Sequence, residues 1–253
     1  MGGEFYINRH NEHLVDKFLR NTNKSIVIDF TKDSDTLLII FCGRGARTPS
    51  PKIPPPFEFY RSTQSMGVNR IIIRDNKKAW FHKGLLNILD VETFDQMLTY
   101  IEDLIPANRF NKIIVMGLSM GGYAALLFGL LTRFKVTVHA FGPQTYFDLD
   151  KKDYTDEMSW IIPFLDDIPR DAPREYLNLV KIFREREQIQ LLEHNEYHIY
   201  YGTPDTTYAE RLSGLKNVHL HKYDLNVHNL TTYFKDRGEL ENVLNELLFT
   251  STI

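Results

Sequence analysis

The chain is 253 residues long, 43% hydrophobic and 25% charged, with a formal net charge of -3. This is enough apolar material for one sizeable core, and the slight acidity, with no basic block, argues against nucleic acid or an anionic membrane as a partner. Cys42 is the only cysteine, which excludes an intrachain disulfide and a thiolate metal cluster.

The opening residues lack the apolar segment of a secretory signal, and no uncharged apolar stretch is long enough to span a membrane, so a cytoplasmic location is expected. Residues 1–5 read equally well as native sequence or as an expression remnant, and no strand is evident before Ser25. The first expected strand is 25–30 (SIVIDF); Asp35 then turns the chain into a second, more apolar one at 37–42 (LLIIFC). Next comes a stretch at 44–59 with prolines at 49, 51, 54, 55 and 56, expected to be a stiff loop bordering a site rather than a polyproline recognition segment. A third strand is expected at 69–74, with Arg74 and Asp75 as a structural ion pair at its end. Apolar residues at Val91, Phe94, Met97, Leu98, Ile101 and Leu104 have helical spacing.

Residues 111–133, NKIIVMGLSMGGYAALLFGLLTR, organise the rest. Ile113 to Met116 read as a strand buried on both faces, Gly117-Leu118-Ser119-Met120-Gly121 interrupts it, and small or helix-forming residues follow to Leu131. Strands are expected again at 135–141, 196–201 and 218–223, then an amphipathic helix over 229–248 that Gly238 interrupts. Between the first two of these strands lies a long excursion, 146–195, with Trp160, Ile161, Ile162 and Phe164 close together and a helix over 174–193. Strands separated by helices imply parallel crossovers and a doubly wound, mostly parallel α/β sheet with helices on both faces. We expect one domain over 1–253, with two parallel strands and one antiparallel strand before the 113–116 strand and three after it. Such sheets bind ligands outside the carboxyl ends of their strands.

Three fixed positions of common residues recur by chance, so the weight of G-x-S-x-G rests on the strand before it and the helix after it. In that context the stretch resembles the nucleophile elbow of the α/β-hydrolases. The glycines relieve collisions in a turn that holds the serine hydroxyl above the sheet. The run from Phe57 through Gly84, with MGLSMGGYAALLFG and HAFGPQ, is also similar to bacterial hydrolase-like proteins associated with surface-polysaccharide assembly.

The resemblance implies a nucleophile, an acid and a histidine in that chain order. Ser119 would be the nucleophile. His228, on the loop after the last strand, would be the base, since His139, His198, His219 and His221 fall within strands and His10, His13, His82 and His194 are badly placed. Asp205, in YYGTPDTTYAERL after the penultimate strand, would be the acid, with helix capping as its ordinary role and Asp224, Asp148 or Asp150 as alternatives. The oxyanion donors would be the Met120 amide and the amide of Gly43 or Arg44 in FCGRGAR. Arg44 and Arg47 are candidates for contacting substrate. The resemblance makes 146–195 a cap, and Trp160, Ile161 and Phe164 would either line the substrate or anchor that cap. The expected function is a serine hydrolase that cleaves a small-molecule or glycan-linked ester through an acyl-enzyme, with no metal or other cofactor. Acyl transfer to a glycan hydroxyl and a non-catalytic binding module are the alternatives.

Overall fold

The computed structural model describes residues 2–45, 55–152, 154, 156–188 and 194–249. Eight strands form one sheet: β1 (Glu4–Tyr6), β2 (Ile26–Asp29), β3 (Thr36–Phe41), β4 (Asn69–Ile73), β5 (Lys112–Leu118), β6 (Thr137–Phe141), β7 (Glu196–Tyr201) and β8 (Val218–Lys222). Their order across the sheet is β1-β2-β4-β3-β5-β6-β7-β8. Only the β2–β4 pairing is antiparallel.

β3 and β5 stand at the centre, where alternate residues face opposite sides and both sides are covered. Leu37, Ile39, Phe41 and Val115 join the core on one face, and Leu38, Ile40, Ile114 and Met116 the core on the other. Helices α2 (Phe94–Leu104) and α3 (Met120–Leu131) contribute to the first core. Helices α1 (Val15–Leu19), α6 (Leu230–Asp236) and α7 (Leu240–Phe249) contribute to the second. The α2 start is specified locally: Thr93 accepts the Gln96 amide and the Gln96 side chain accepts the Thr93 amide, a reciprocal cap worth about 1 kcal/mol. Every residue of α3 except Leu131 is buried, so the helix after the candidate elbow is fixed from all sides. No helix among the described residues is long and apolar enough to cross a membrane.

The structure departs from the sequence reading in three places. Glu4–Tyr6 is a strand, parallel to β2, where none is evident in the sequence before Ser25. The helix expected over 174–193 starts later: 174–177 is a 3-10 turn, Asn178 breaks it, and α4 (Leu179–Gln188) follows and packs on α3. The last residues of that expectation, 189–193, lie outside the described residues. Arg74 and Asp75 do not pair with each other. Arg74 donates to the carbonyls of Leu19, Asn21, Lys24 and Pro55, and Asp75 accepts the amides of Lys77, Ala79 and Phe81. Both act structurally, by stitching loops. The break foreseen at Gly238 is present, with φ of 73° between α6 and α7.

Candidate active site

β5 ends at Leu118 and α3 starts at Met120, so Ser119 alone makes the turn. Its φ of 54° and ψ of -116° lie in a region that costs a non-glycine residue about 1–3 kcal/mol unless its surroundings impose it. Here the Ser119 amide donates to the Phe141 carbonyl at 2.8 Å and its carbonyl accepts the Tyr123 amide at 3.0 Å. Gly117 and Gly121 allow the turn to close. A Cβ at 117 would collide with the Gly121 carbonyl, and one at 121 with the Phe41 carbonyl of the neighbouring strand.

The last two strands deliver the partners. β7 runs into a 3-10 turn, Thr203–Asp205, followed by α5 (Thr206–Ala209). The Thr203 amide donates to the Leu225 carbonyl at 2.9 Å, which ties this loop to the one after β8 that carries His228. Asp205 occupies the N-cap position of α5 but its side chain caps nothing. Fully buried, it meets His228 instead, Oδ1 to Nδ1 at 2.7 Å. The other ring nitrogen, Nε2, stands 2.9 Å from Ser119 Oγ. With the proton on Nδ1, the ring donates to the carboxylate and Nε2 is left to accept the serine hydroxyl. The three side chains are therefore in series, and three different strand ends bring them together. His82 is a different case: it is buried, bonded to the Tyr123 hydroxyl at 2.9 Å, and pushed down to about 4 by burial.

A cavity of about 530 Å³ opens over Ser119 and His228. Gly43, Arg44, Pro56, Leu118, Trp160, Ile161 and Phe164 are among its lining residues. Trp160, Ile161 and Phe164 belong to a 3-10 segment, Asp156–Asp167, and the Trp160 ring lies tilted against His228 with ring centroids 4.9 Å apart. Ile161 both lines the cavity and is buried in the core, so lining and anchoring are served by the same segment. Arg44 reaches that segment, pairing with Asp167 at 2.7 Å and lying 4.3 Å over the Phe164 ring. Arg47 lies outside the described residues.

The lining includes a carboxylate that the sequence does not single out. Glu58 Oε2 accepts the Gly43 amide at 2.6 Å, which engages one of the two candidate oxyanion amides of this loop. The Met120 amide, at the start of α3, and the Arg44 amide have no protein acceptor among the described residues. Burial pushes the Glu58 carboxyl up to about 7, against the opposing pull of the Gly43 amide. The signal was present in PPPFEF, where one carboxylate stands between two aromatic residues.

No protein-family model and no curated protein matches the chain. Solved structures do match. A lipase-esterase related protein from Clostridium acetobutylicum superposes with a TM-score of 0.52 at 14% identity, over 87% of this chain and 98% of that one. Fluorophosphonate-binding serine hydrolase F of Staphylococcus aureus gives 0.53 at 12% identity, over 86% and 85%. The capsule O-acetyltransferase of Neisseria meningitidis serogroup A gives 0.56 at 14%, over 86% and 90%. The likeness is one of fold, and it agrees with the strand order and the turn at Ser119: the chain has the fold of the α/β-hydrolases.

Proposed function

We infer that the protein is a serine hydrolase that cleaves a carboxylic ester through an acyl-enzyme. The observation that carries this reading is the series Ser119 Oγ, His228 Nε2, His228 Nδ1, Asp205 Oδ1, at 2.9 and 2.7 Å, opening on a cavity. A free serine hydroxyl is a poor nucleophile at neutral pH, and this arrangement supplies what it lacks. As Ser119 Oγ attacks the acyl carbon, Nε2 takes its proton. Asp205, held out of water, stabilises the imidazolium that forms, and the same proton then goes to the departing alkoxide. Water repeats the sequence to release the acid and restore the serine.

The oxyanion is held by the Met120 amide, at the positive end of α3. Because Glu58 engages Gly43, the Arg44 amide is the better candidate for the second donor. The excursion over 146–195 acts as the cap, with Trp160, Ile161 and Phe164 over the acyl site and the Arg44–Asp167 pair as its latch. Turnover of short aryl esters tests the reading. The folded wild type hydrolyses them, and His228→Ala, with its thermal unfolding retained, loses that activity. Activity surviving in His228→Ala overturns the assignment. The apolar wall over Ser119 favours one second reading, transfer of the acyl group to a hydroxyl in place of water. Comparing hydrolysis with transfer to added glycans separates the two.

A further inference from the structure

The cavity over Ser119 is walled mostly by carbon, with Pro56, Leu118, Trp160, Ile161 and Phe164 prominent. Among the described residues, three charged or chargeable side chains also line it: Arg44, Glu58 and His228. Arg44 is engaged by Asp167 and by the Phe164 ring, and His228 by Ser119 and Asp205. Glu58 is different. Gly43 fixes one of its oxygens at 2.6 Å, and no donor among the described residues reaches the other. A carboxyl pinned by one oxygen and free at the second is a prepared acceptor, since its orientation has been set before any ligand arrives.

We propose that Glu58 selects the alcohol part of the ester, its free oxygen accepting a hydrogen bond from a hydroxyl of a sugar or polyol. The same carboxylate disfavours alcohols that carry phosphate or carboxylate. This inference rests on the reading of Ser119 as the nucleophile. Two further features fit a sugar. Trp160, beside His228, gives the cavity a flat aromatic wall, and a sugar ring pairs an apolar C–H face with a polar rim. Pro56, Glu58 and Leu118 also border a second depression of about 440 Å³, whose lining adds Ser62, Thr231 and Thr232 and the cations Arg20, Arg61 and Lys235, so a longer polyhydroxylated alcohol meets polar surface beyond the carboxyl, and the discrimination against anionic alcohols applies to charge placed at Glu58 itself. An ammonium would suit the carboxylate's charge, but it brings three donors to a site with one free acceptor side chain.

The test uses the full chain and four acetate esters: an O-acetyl methyl glucopyranoside, cyclohexyl acetate of similar size, an O-acetyl glucose phosphate and 2-aminoethyl acetate. The measured quantity is the ratio of kcat/KM between esters, in which effects on shared catalytic steps cancel. At pH 8, where Glu58 is mostly ionised, the wild type is expected to favour the neutral sugar ester over cyclohexyl acetate by about tenfold or more, the range of a hydrogen bond to a charged group. Glu58→Gln fixes its own carbonyl on Gly43 and turns a donor to the substrate. It should lower that ratio about tenfold, through KM, and narrow the discrimination against the phosphorylated ester at pH 8. Several results overturn the proposal: a ratio unmoved by Glu58→Gln, both neutral esters rising together as they would if Glu58 only plugged the Gly43 amide, or 2-aminoethyl acetate outrunning the sugar ester. Turnover persisting in Ser119→Ala overturns the catalytic reading and this inference together. Turnover lost in Ser119→Ala with the ratio unmoved overturns this inference alone.

Discussion

Replacing His139 on β6 should change how stability depends on pH. The ring is buried, stacked 4.9 Å from His198, and its Nδ1 lies 3.1 Å from the Tyr200 hydroxyl. Nε2 has no partner among the described residues. Burial first, then the charges of His198, His221 and Lys112, push it from 6.5 down to about 3. As pH falls below 6.5 the unfolded chain takes up a proton here that the folded chain refuses until about pH 3, so acidification favours unfolding. The linkage is about 1.4 kcal/mol per pH unit, or about 2 kcal/mol by pH 5. Glu58, pushed up to about 7, runs the other way as pH falls from 7, so the whole protein's profile mixes both effects. Comparing wild type with His139→Gln cancels what they share. In urea unfolding at pH 7 the variant loses stability for repacking and a lost hydrogen bond. At pH 5 that deficit should shrink by about 2 kcal/mol. An equal deficit at both pH values would show that His139 titrates normally in the fold and would refute the reasoning.

Two other substitutions probe the site's construction. Gly121→Ala drives a methyl group into the Phe41 carbonyl; calorimetry should record a loss of about 1–3 kcal/mol, typical of overpacking, together with reduced ester turnover as the elbow shifts. Wild-type stability in that variant would mean the turn is looser than described. On the proposed mechanism Asp205→Asn keeps the shape but removes the charge that would stabilise the imidazolium, so kcat should fall by about 10⁴-fold, the size of effect seen in serine–histidine–aspartate systems, while the unfolding temperature changes little. A kcat within tenfold of wild type would mean the carboxylate only orients the ring.

The parts of the fold that could be read in advance are those whose signals are local. The strand–serine–helix turn is written in consecutive residues, because the glycines at 117 and 121 are demanded by backbone oxygens that crowd them. The positions of Asp205 and His228 followed from the chain order that the resemblance implies, and the structure brings His228 to Ser119 and Asp205 to His228. β1 was invisible because it has three residues, none of them fully buried, so it lacks the periodicity that marks longer strands; pairing with β2 makes it. The start of α4 could not be read because 174–177 (REYL) is helix-compatible, yet Tyr146 bridges Asn178 there, a tertiary contact that overrides local preference. Glu58 escaped notice because its role lies in what it touches: a backbone amide 15 residues earlier in the chain.

The most direct measurement of the central claim is covalent labelling of the folded protein with a fluorophosphonate, the adduct mapped by peptide mass spectrometry. Modification confined to Ser119, absent in Ser119→Ala and strongly slowed in His228→Ala, is the expected result. Labelling that persists in Ser119→Ala, or a folded wild type that takes none, would contradict it.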